Sequence, residues 1–304
     1  MEKTKLNESN QTLLNEYLEY LKIIKNYSNH TLRNYTIDLN QFKDFIYLCD
    51  SNLIFIELNK ENIKEFLFSL HAKKMSDKTI SRKVATLKSF YKYMYKNKII
   101  DNNIMKSIKS PKISKKLPHL LSMREIKELF NIELDDERIL MEMCILIIFY
   151  STGIRISELA RIELKDIKLS NRIIRVFGKG KKERDVILSK KSVVIIEKYI
   201  ETFKLNGKKY LFESLSKKNI LGHISEKTIY NITKKHLKRI SNDEKLSPHS
   251  IRHSFATHLL QSGADMMSVK ELLGHESLSS TQVYTHVQLE KMKKDYKKSH
   301  PLEK

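Results

Sequence analysis

Residues 247–264 read SPHSIRHSFATHLLQSGA, and this stretch is predicted to form a helix anchored in a hydrophobic core. Proline is tolerated in the first turn of a helix, so we expect the helix to begin near Pro248. At about 100° per residue, one apolar stripe runs along this helix. The stripe consists of Ile251, Phe255 and Leu259. The helix should therefore pack through this stripe and present its polar side chains elsewhere.

The polar side chains of this helix allow two interpretations. His249 and Arg252 are three residues apart, so one helix face can direct both at a single anion. His249 and His253 instead have the spacing of two metal ligands on a helix. The helical zinc motif requires Glu directly after its first His, however, and Ser250 stands there. We therefore favour the anion site, and we expect His253 and His258 at the solvent or in support of that site.

The composition points to a polyanionic partner. The chain has 304 residues, with 57 Lys and Arg against 36 Asp and Glu, and a formal net charge of +21. A charge of this size indicates partners rather than a fold, and nucleic acid is the first candidate. A general bias toward lysine accounts for part of the excess but does not create all of it. Hydrophobic residues make up 40%, enough for a sizeable core.

Several classes of protein are disfavoured by simple absences in the sequence. Two distant cysteines, Cys49 and Cys144, indicate neither a disulfide framework nor a zinc site, and Cys144 is expected to be buried. No apolar run has the character of a signal peptide or the length of a membrane span. The stretch FGKGKKER, residues 177–184, lacks the spacing of an ATP-binding phosphate loop. We therefore expect a soluble, cytoplasmic protein without a metal or cofactor.

The pattern along the chain predicts two domains. Residues 1–108 place apolar side chains at helical spacing and should form an all-helical domain. Residues 109–118, KSPKISKKLP, contain two prolines and no acid, which is typical of a linker that is either solvated or laid along a phosphate backbone. Residues 119–304 are predicted to be mainly α with a small β-sheet. In that sheet, strands around Ile173–Phe177 and Arg184–Leu188 flank a Gly-Lys-Gly turn.

Further positions resemble parts of a functional site, although each has an ordinary alternative. Arg155 follows a glycine, and Glu158 three positions later could hold its guanidinium or form a common surface ion pair. Lys179 lies at the tip of the predicted hairpin, where it could enter a cleft or remain solvated. His275 follows a glycine, and Tyr284 taken alone is more typical of a core than of a nucleophile.

Together these stretches resemble the tyrosine recombinase (phage integrase) family, most closely its Xer branch. The resemblance rests on the stretches IFYSTGIRISELARI, FGKGKKERDVILS, PHSIRHSFATHLLQSGADMMSVKELLGH and LSSTQVYTHV. The family's series Arg, Lys, His-x-x-Arg, His, Tyr is matched in order by Arg155, Lys179, His249, Arg252, His275 and Tyr284. TLRNYTIDLNQF and RKVATLKSFYKYMY resemble the family's core-binding domain, so the likeness covers nearly the whole chain.

The resemblance implies a fold and an activity. It implies a helical, SAM-like core-binding domain and an α+β catalytic domain of the DNA breaking-rejoining type, which together clamp duplex DNA. The implied activity is site-specific recombination through a 3′-phosphotyrosyl intermediate, without ATP. The implied roles are phosphate stabilisation by Arg155 and Arg252, proton transfer by His249, leaving-group protonation by Lys179, phosphate binding by His275, nucleophilic attack by Tyr284 and orientation of Arg155 by Glu158.

The resemblance also implies partners and a biological task. The expected assembly is a homo- or hetero-tetramer on two DNA duplexes, in which the basic tail, residues 287–304, docks on a neighbouring protomer. A frayed terminus is the simpler alternative. A cell-division DNA translocase would be the activator, and the compact length favours chromosome dimer resolution and segregation. The alternatives are an integrase or transposase of a mobile element, a type IB topoisomerase, and a catalytically silent DNA-binding regulator, for which Lys179 and Tyr284 would have no use.

Overall fold

The computed structural model divides the chain into two compact units, Met1–Lys116 and Leu117–Lys304. It describes residues 2–111, 119–178, 183–214, 220–274 and 286–303, without the side chains of residues 2–8, 286–289 and 291. The division falls inside residues 109–118, the segment predicted as a linker. Most of that segment lies outside the described residues, so its character as a linker stays a prediction.

The first unit is helical throughout its regular elements. Its helices are α1 (Glu2–Ile23), α2 (Asn29–Cys49), α3 (Lys60–Ala72) and α4 (Asp77–Lys96), followed by a 3₁₀ turn at Ile104–Ser107. Side-chain oxygens cap three of these helices at their first turns, which supplies partners for backbone N–H groups that a helix leaves unpaired. The core between the helices is rich in aromatic side chains, including Tyr17, Phe42, Phe55, Phe66 and Phe90. The prediction of an all-helical N-terminal unit is confirmed.

A carboxylate is buried inside this first unit. Asp38, on α2, is 2% exposed and accepts hydrogen bonds from three side chains of α4. Lys83 Nζ lies 2.7 Å from Asp38 Oδ1, Thr86 Oγ1 lies 3.1 Å from Oδ2, and Arg82 also donates to Oδ2. Because a buried charge is costly without partners, this cluster holds α2 and α4 in register.

The second unit combines eight helices of the described residues with a small sheet. Its helices are α5 (Met123–Leu129), α6 (Glu137–Thr152), α7 (Ile156–Ala160), α8 (Lys190–Thr202), α9 (Glu226–Ile240), α10 (Pro248–Gln261), α11 (Met266–Leu273) and α12 (His286–Ser299), with strands β1 (Ile167–Lys168), β2 (Ile173–Phe177) and β3 (Glu183–Ile187). Short 3₁₀ turns lie at Leu164–Asp166 and Pro301–Glu303. The predicted class, mainly α with a small β-sheet, is confirmed.

The three described strands form one antiparallel sheet in the order β1-β2-β3. The pairing places Ile174 opposite Val186 and Val176 opposite Arg184 on one face, which is buried. Strand β2 has the predicted bounds, whereas β3 begins and ends one residue before the predicted span. Residues 179–182, which join the two strands, lie outside the described residues.

Helix α6 is the centre of the second unit and leads directly to the site. All its residues from Leu140 to Thr152 are buried, Cys144 among them as predicted. The helix ends at Gly153, whose φ of 59° is a left-handed conformation that glycine adopts without strain. A Cβ at this position would lie 2.3 Å from the ring of Phe255 on α10. Glycine therefore lets α6 approach α10 closely and lets the chain turn toward Arg155.

Helix α10 has the orientation that the sequence predicted. It begins at Pro248, and the stripe of Ile251, Phe255 and Leu259 is at most 1% exposed. His253 is exposed. His258 is 6% exposed and its Nδ1 lies 2.9 Å from Tyr150 Oη on α6. We expected His258 at the solvent or in support of the site, and the structure instead places it in the core.

The C-terminal tail packs on its own chain. Met292 and Tyr296 on α12 are 2% and 1% exposed, and Tyr296 Oη donates to Ser151 O over 2.7 Å. Beyond the helix, Glu303 accepts two hydrogen bonds from the guanidinium of Arg172, at 2.5 and 3.1 Å. In the single chain the tail therefore packs in cis, because its apolar and aromatic side chains reach a core there. Docking of the tail on a neighbouring protomer, which the resemblance implies, stays a prediction.

Among the described helices, none combines the length and the apolar character that a membrane span requires.

Candidate active site

Arg155 is held at the start of the short helix α7. It follows the turn at Gly153 and caps α7, with Glu158 in the first turn of that helix. Glu158 Oε2 accepts the backbone N–H of Arg155 over 2.7 Å, and Oε1 accepts Nη1 of its side chain over 2.9 Å. One carboxylate therefore fixes both the backbone and the guanidinium of Arg155, while the Arg155 side chain stays 39% exposed.

A second guanidinium shares the same carboxylate. Arg184, on β3, is 7% exposed and donates from Nη1 and Nη2 to the two oxygens of Glu158, each over 2.9 Å. This is the parallel, bidentate arrangement that arginine forms with carboxylates. Burial by itself would raise the pKa of Glu158, but the hydrogen bonds and charge of Arg184 and the bonds from Arg155 outweigh it and lower that pKa to about 2. Glu158 is therefore ionised at neutral pH.

Arg252 enters the site from α10. Its Nη2 donates to Leu273 O over 2.6 Å, and its Nη1 donates to Gly153 O at the turn before Arg155. Desolvation, followed by the positive charge of Arg155, lowers the pKa of Arg252 to about 10. The guanidinium thus remains protonated at neutral pH.

The C-terminal end of α11 gathers all three guanidiniums. Three consecutive carbonyls accept one hydrogen bond each, from Arg184 Nε to Leu272 O at 3.1 Å, from Arg252 Nη2 to Leu273 O, and from Arg155 Nη2 to Gly274 O at 3.1 Å. The carbonyl end of a helix carries partial negative charge, which suits cations. Three guanidiniums and one carboxylate nevertheless leave an excess of positive charge, and such a site attracts an anion.

His249 lies beside this cluster without a hydrogen bond to it in the described residues. It occupies the first turn of α10, three residues before Arg252, and its side chain is exposed. The helix places the two on neighbouring surface positions. Its exposure leaves the imidazole accessible to a ligand bound at Arg252.

The other three members of the predicted site lie outside the described residues. They are Lys179, His275 and Tyr284. Lys179 belongs to the connection between β2 and β3, and the segment with His275 and Tyr284 begins directly after Gly274. The structure therefore brings Arg155, Arg252 and Glu158 together and leaves the placement of these three as predictions.

Arg184 is the site residue that we did not predict. The sequence pattern placed Arg184 only as the first residue of the second predicted strand. A signal was present, because alternation along β3 puts Arg184 on the same face as Val186, and an arginine on a buried strand face needs a partner. The sequence offered no means of choosing Glu158 as that partner.

Comparisons with known proteins show the family to which this chain belongs. A model of the phage integrase family matches residues 120–291, and a model of the phage integrase N-terminal SAM-like domain matches residues 14–98. The chain is 38% identical over 299 residues to the tyrosine recombinase XerC of Thermodesulfovibrio yellowstonii, with 97% of this chain and 98% of that protein covered. It is 34% identical over 297 residues to the tyrosine recombinase XerD of Staphylococcus epidermidis, covering 95% and 99%.

Solved structures share the fold. A post-cleavage complex of the XerH site-specific recombinase bound to palindromic difH substrate superposes with a TM-score of 0.69 at 22% identity, covering 93% of this chain and 83% of that chain. At this identity the likeness supports the fold, and the family is established by the sequence matches. The chain belongs to the phage integrase family of tyrosine recombinases and is a site-specific DNA recombinase of the Xer type.

Proposed function

We propose that this recombinase cuts and rejoins duplex DNA through a covalent 3′-phosphotyrosyl intermediate formed by Tyr284. One observation carries the proposal. The guanidiniums of Arg155 and Arg252 are bound to consecutive carbonyls at the end of α11, immediately before the segment that contains His275 and Tyr284. Two fixed cations therefore lie where the chain enters the segment with the nucleophile.

The two arginines supply the charge that phosphoryl transfer requires. Attack on a phosphodiester concentrates negative charge on the non-bridging oxygens, and guanidiniums remain protonated and present fixed donors. Each side chain donates two hydrogen bonds to described protein atoms, out of five N–H groups on a guanidinium. Arg155 and Arg252 thus retain donors for a phosphate while the protein holds them in place.

The proton transfers complete the reaction. A free tyrosine has a pKa of about 10, so about one in a thousand is ionised at neutral pH. His249, exposed beside Arg252, takes the proton of Tyr284 as its oxygen bonds to phosphorus. The bond from phosphorus to the 5′-oxygen breaks, and Lys179 donates a proton to that oxygen. Attack by a 5′-hydroxyl reverses these steps and rejoins the strand without an external energy source.

The proposed task is Xer-type resolution of chromosome dimers in the cytoplasm. The similarity to proteins named XerC and XerD along nearly their full lengths supports it, as does the net charge of +21. The proposed assembly is a tetramer of this chain, alone or with a paralogue, on two duplexes that carry palindromic sites. A DNA translocase of the division machinery activates it. In the tetramer, the tail that packs in cis here occupies the equivalent surface of the next protomer.

A trapped covalent adduct tests the chemistry. DNA that is covalently bound to the wild-type protein is first recovered from cells, which identifies the site. A duplex of that sequence, nicked beside the cleavage position, then loses a short fragment on cleavage and cannot be rejoined. We expect a protein–DNA adduct that survives denaturation with the wild-type chain and none with Tyr284→Phe, which should still bind the duplex.

The other outcomes distinguish the alternatives. Binding without any adduct would leave a silent DNA-binding regulator. Relaxation of a supercoiled plasmid without the recovered site would indicate a type IB topoisomerase. Recovery of the ends of a mobile element, in place of a chromosomal site, would indicate an integrase or transposase with the same chemistry.

A further inference from the structure

We infer that Arg184 is a positioning residue for strand cleavage, which sets the orientation of Arg155 through its two other contacts, the carboxylate of Glu158 and the carbonyl end of α11. The inference rests on the proposed role of Arg155 at the scissile phosphate. It adds a seventh side chain to the six that the family's catalytic series supplies.

Arg184 is enclosed in protein and is not placed to bind phosphate itself. Its exposure is 7%, against 39% for the side chain of Arg155. All three of its nitrogens donate to protein acceptors, two to Glu158 and one to Leu272 O. Any effect of Arg184 on cleavage must therefore pass through the groups that it touches.

The bidentate bond from Arg184 controls how Arg155 can use Glu158. Each oxygen of Glu158 already accepts from Arg184, so the Arg155 side chain makes only one bond to the carboxylate, through Nη1 at 2.9 Å. Nη2 of Arg155 is then directed to Gly274 O instead. Without Arg184, a carboxylate that is 4% exposed would have vacant acceptors, and Arg155 would be drawn toward the bidentate arrangement that these two groups favour. That rotation breaks the bond to Gly274 O and changes the orientation of the guanidinium that the proposed function places at the phosphate.

Arg184 also packs beneath the residue that precedes His275. A Cβ at Gly274 would lie 3.0 Å from both Cζ and Nε of Arg184, so the guanidinium lies directly against the glycine. The φ of 63° at Gly274 likewise favours glycine. Together with the bond to Leu272 O, this contact fixes the end of α11 and with it the Gly274 carbonyl that Arg155 binds.

Lysine cannot replace this arginine. The three donors of Arg184 point from one rigid plane to acceptors on α7 and α11, whereas an ammonium is a compact point charge on a flexible stem. The substitution Arg184→Lys therefore keeps the charge and removes the geometry. Arg175 on β2 offers a matched control, because it pairs with Asp185 at 3.0 Å on the exposed face of the same sheet.

The test measures adduct formation by full-length protein at saturating concentrations of the nicked duplex. We expect Arg184→Lys to bind DNA like the wild type and to form the adduct about 100-fold more slowly, as a displaced reacting group would. Arg175→Lys should cleave at the wild-type rate. The same comparison is made on a duplex whose scissile phosphate is a methylphosphonate, which carries no charge for Arg155 to stabilise. There, the difference between Arg184→Lys and the wild type should largely disappear.

Three results would overturn the inference. The first is adduct formation by Arg184→Lys at the wild-type rate. The second is an equal loss of rate on the phosphate and methylphosphonate duplexes, which would indicate general disorder of the variant. If Arg184→Lys does not fold, Arg184→Met combined with Glu158→Gln removes both buried charges and avoids leaving one unpaired. The third result that would overturn the inference is cleavage at the wild-type rate by this double variant in its folded form. If the wild-type protein forms no adduct, the proposed function is refuted, and the wild-type sample in the same experiment distinguishes this outcome from failure of the inference.

Discussion

A carboxylate buried among cations occurs in each unit of the chain, and the clusters around Asp38 and Glu158 differ in what their partners bind in turn. Asp38 in the first unit and Glu158 in the second are 2% and 4% exposed. The partners of Asp38 all come from one helix, α4, so its hydrogen bonds join two helices and stop there. The partners of Glu158 are arginines that also bind carbonyls at the end of α11.

This difference separates a structural ion pair from one that serves a site. Burial and charge are the same in both clusters and therefore do not identify function. What distinguishes Glu158 is a partner, Arg155, that is fixed by the carboxylate and yet open to a ligand, next to a second such cation, Arg252. A site requires cations that the protein orients without consuming all their donors.

The largest expected effect comes from removing a guanidinium at the second cluster. Arg252→Ala should lower the rate of adduct formation at saturating DNA by about 100- to 1000-fold, because it removes a donor aimed at developing charge. The matched change in the first cluster, Arg82→Ala, should leave that rate near the wild type. The DNA concentration is saturating, so a loss of affinity from a missing Arg82 contact would not lower the rate. A comparable loss in Arg82→Ala would show that the two clusters are functionally alike.

Exchanging each carboxylate for its amide sharpens the comparison. Asp38→Asn and Glu158→Gln should both destabilise their units, by about 3 kcal/mol or more, because each leaves a buried cation unpaired. Only Glu158→Gln should also lower cleavage by folded protein, by about 100-fold, since Arg155 loses its orientation. Thermal unfolding and adduct formation, both measured where circular dichroism shows each variant folded, separate the two effects.

The smallest expected effect is a dependence of stability on pH. Glu158 has a folded pKa of about 2 against an ordinary value of 4.5, so its contribution is fully present above pH 4.5 and is lost as the pH falls toward 2. This contribution amounts to about 3 kcal/mol. The difference in free energy of unfolding between the wild type and Glu158→Gln, measured with urea, should therefore become smaller as the pH falls from 4.5 to 2. A difference that stays constant to pH 2 would contradict the bonding described for Glu158.

Much of the fold was predictable because helices and strands follow from the residue types and apolar spacing of neighbouring positions in the sequence. β-Prone residues beside a Gly-Lys-Gly turn predicted β2, and apolar spacing predicted the buried stripe of α10 and the helices of the first unit. The packing of the tail was not predictable in this way. Its basic, helix-prone sequence is compatible with a frayed end, a neighbour or its own unit, and only the fit of Tyr296 beside Ser151 selects the last of these in the single chain.

The site was predictable as a set of reactive residue types, and only in part as an arrangement. Arg155 and Glu158 are three residues apart, so their contact could be read from the sequence. Arg184 and Glu158 are separated by 26 residues, and the bond from Arg155 to Gly274 O spans 119. No periodicity connects positions so distant, and backbone carbonyls carry no sequence signal.

The sequence by itself determined the class of fold, the positive charge that suits DNA, and the order of side chains that identifies a tyrosine recombinase, because these follow from composition, spacing and residue chemistry. The tertiary structure decided which charges are enclosed and which stay open. Arg184 and Arg155 are the same residue type bound to the same carboxylate, and only the packing of β3 beneath α11 encloses the first and leaves the second exposed. Burial depends on neighbours from distant parts of the chain, and that information exists only once the chain has folded.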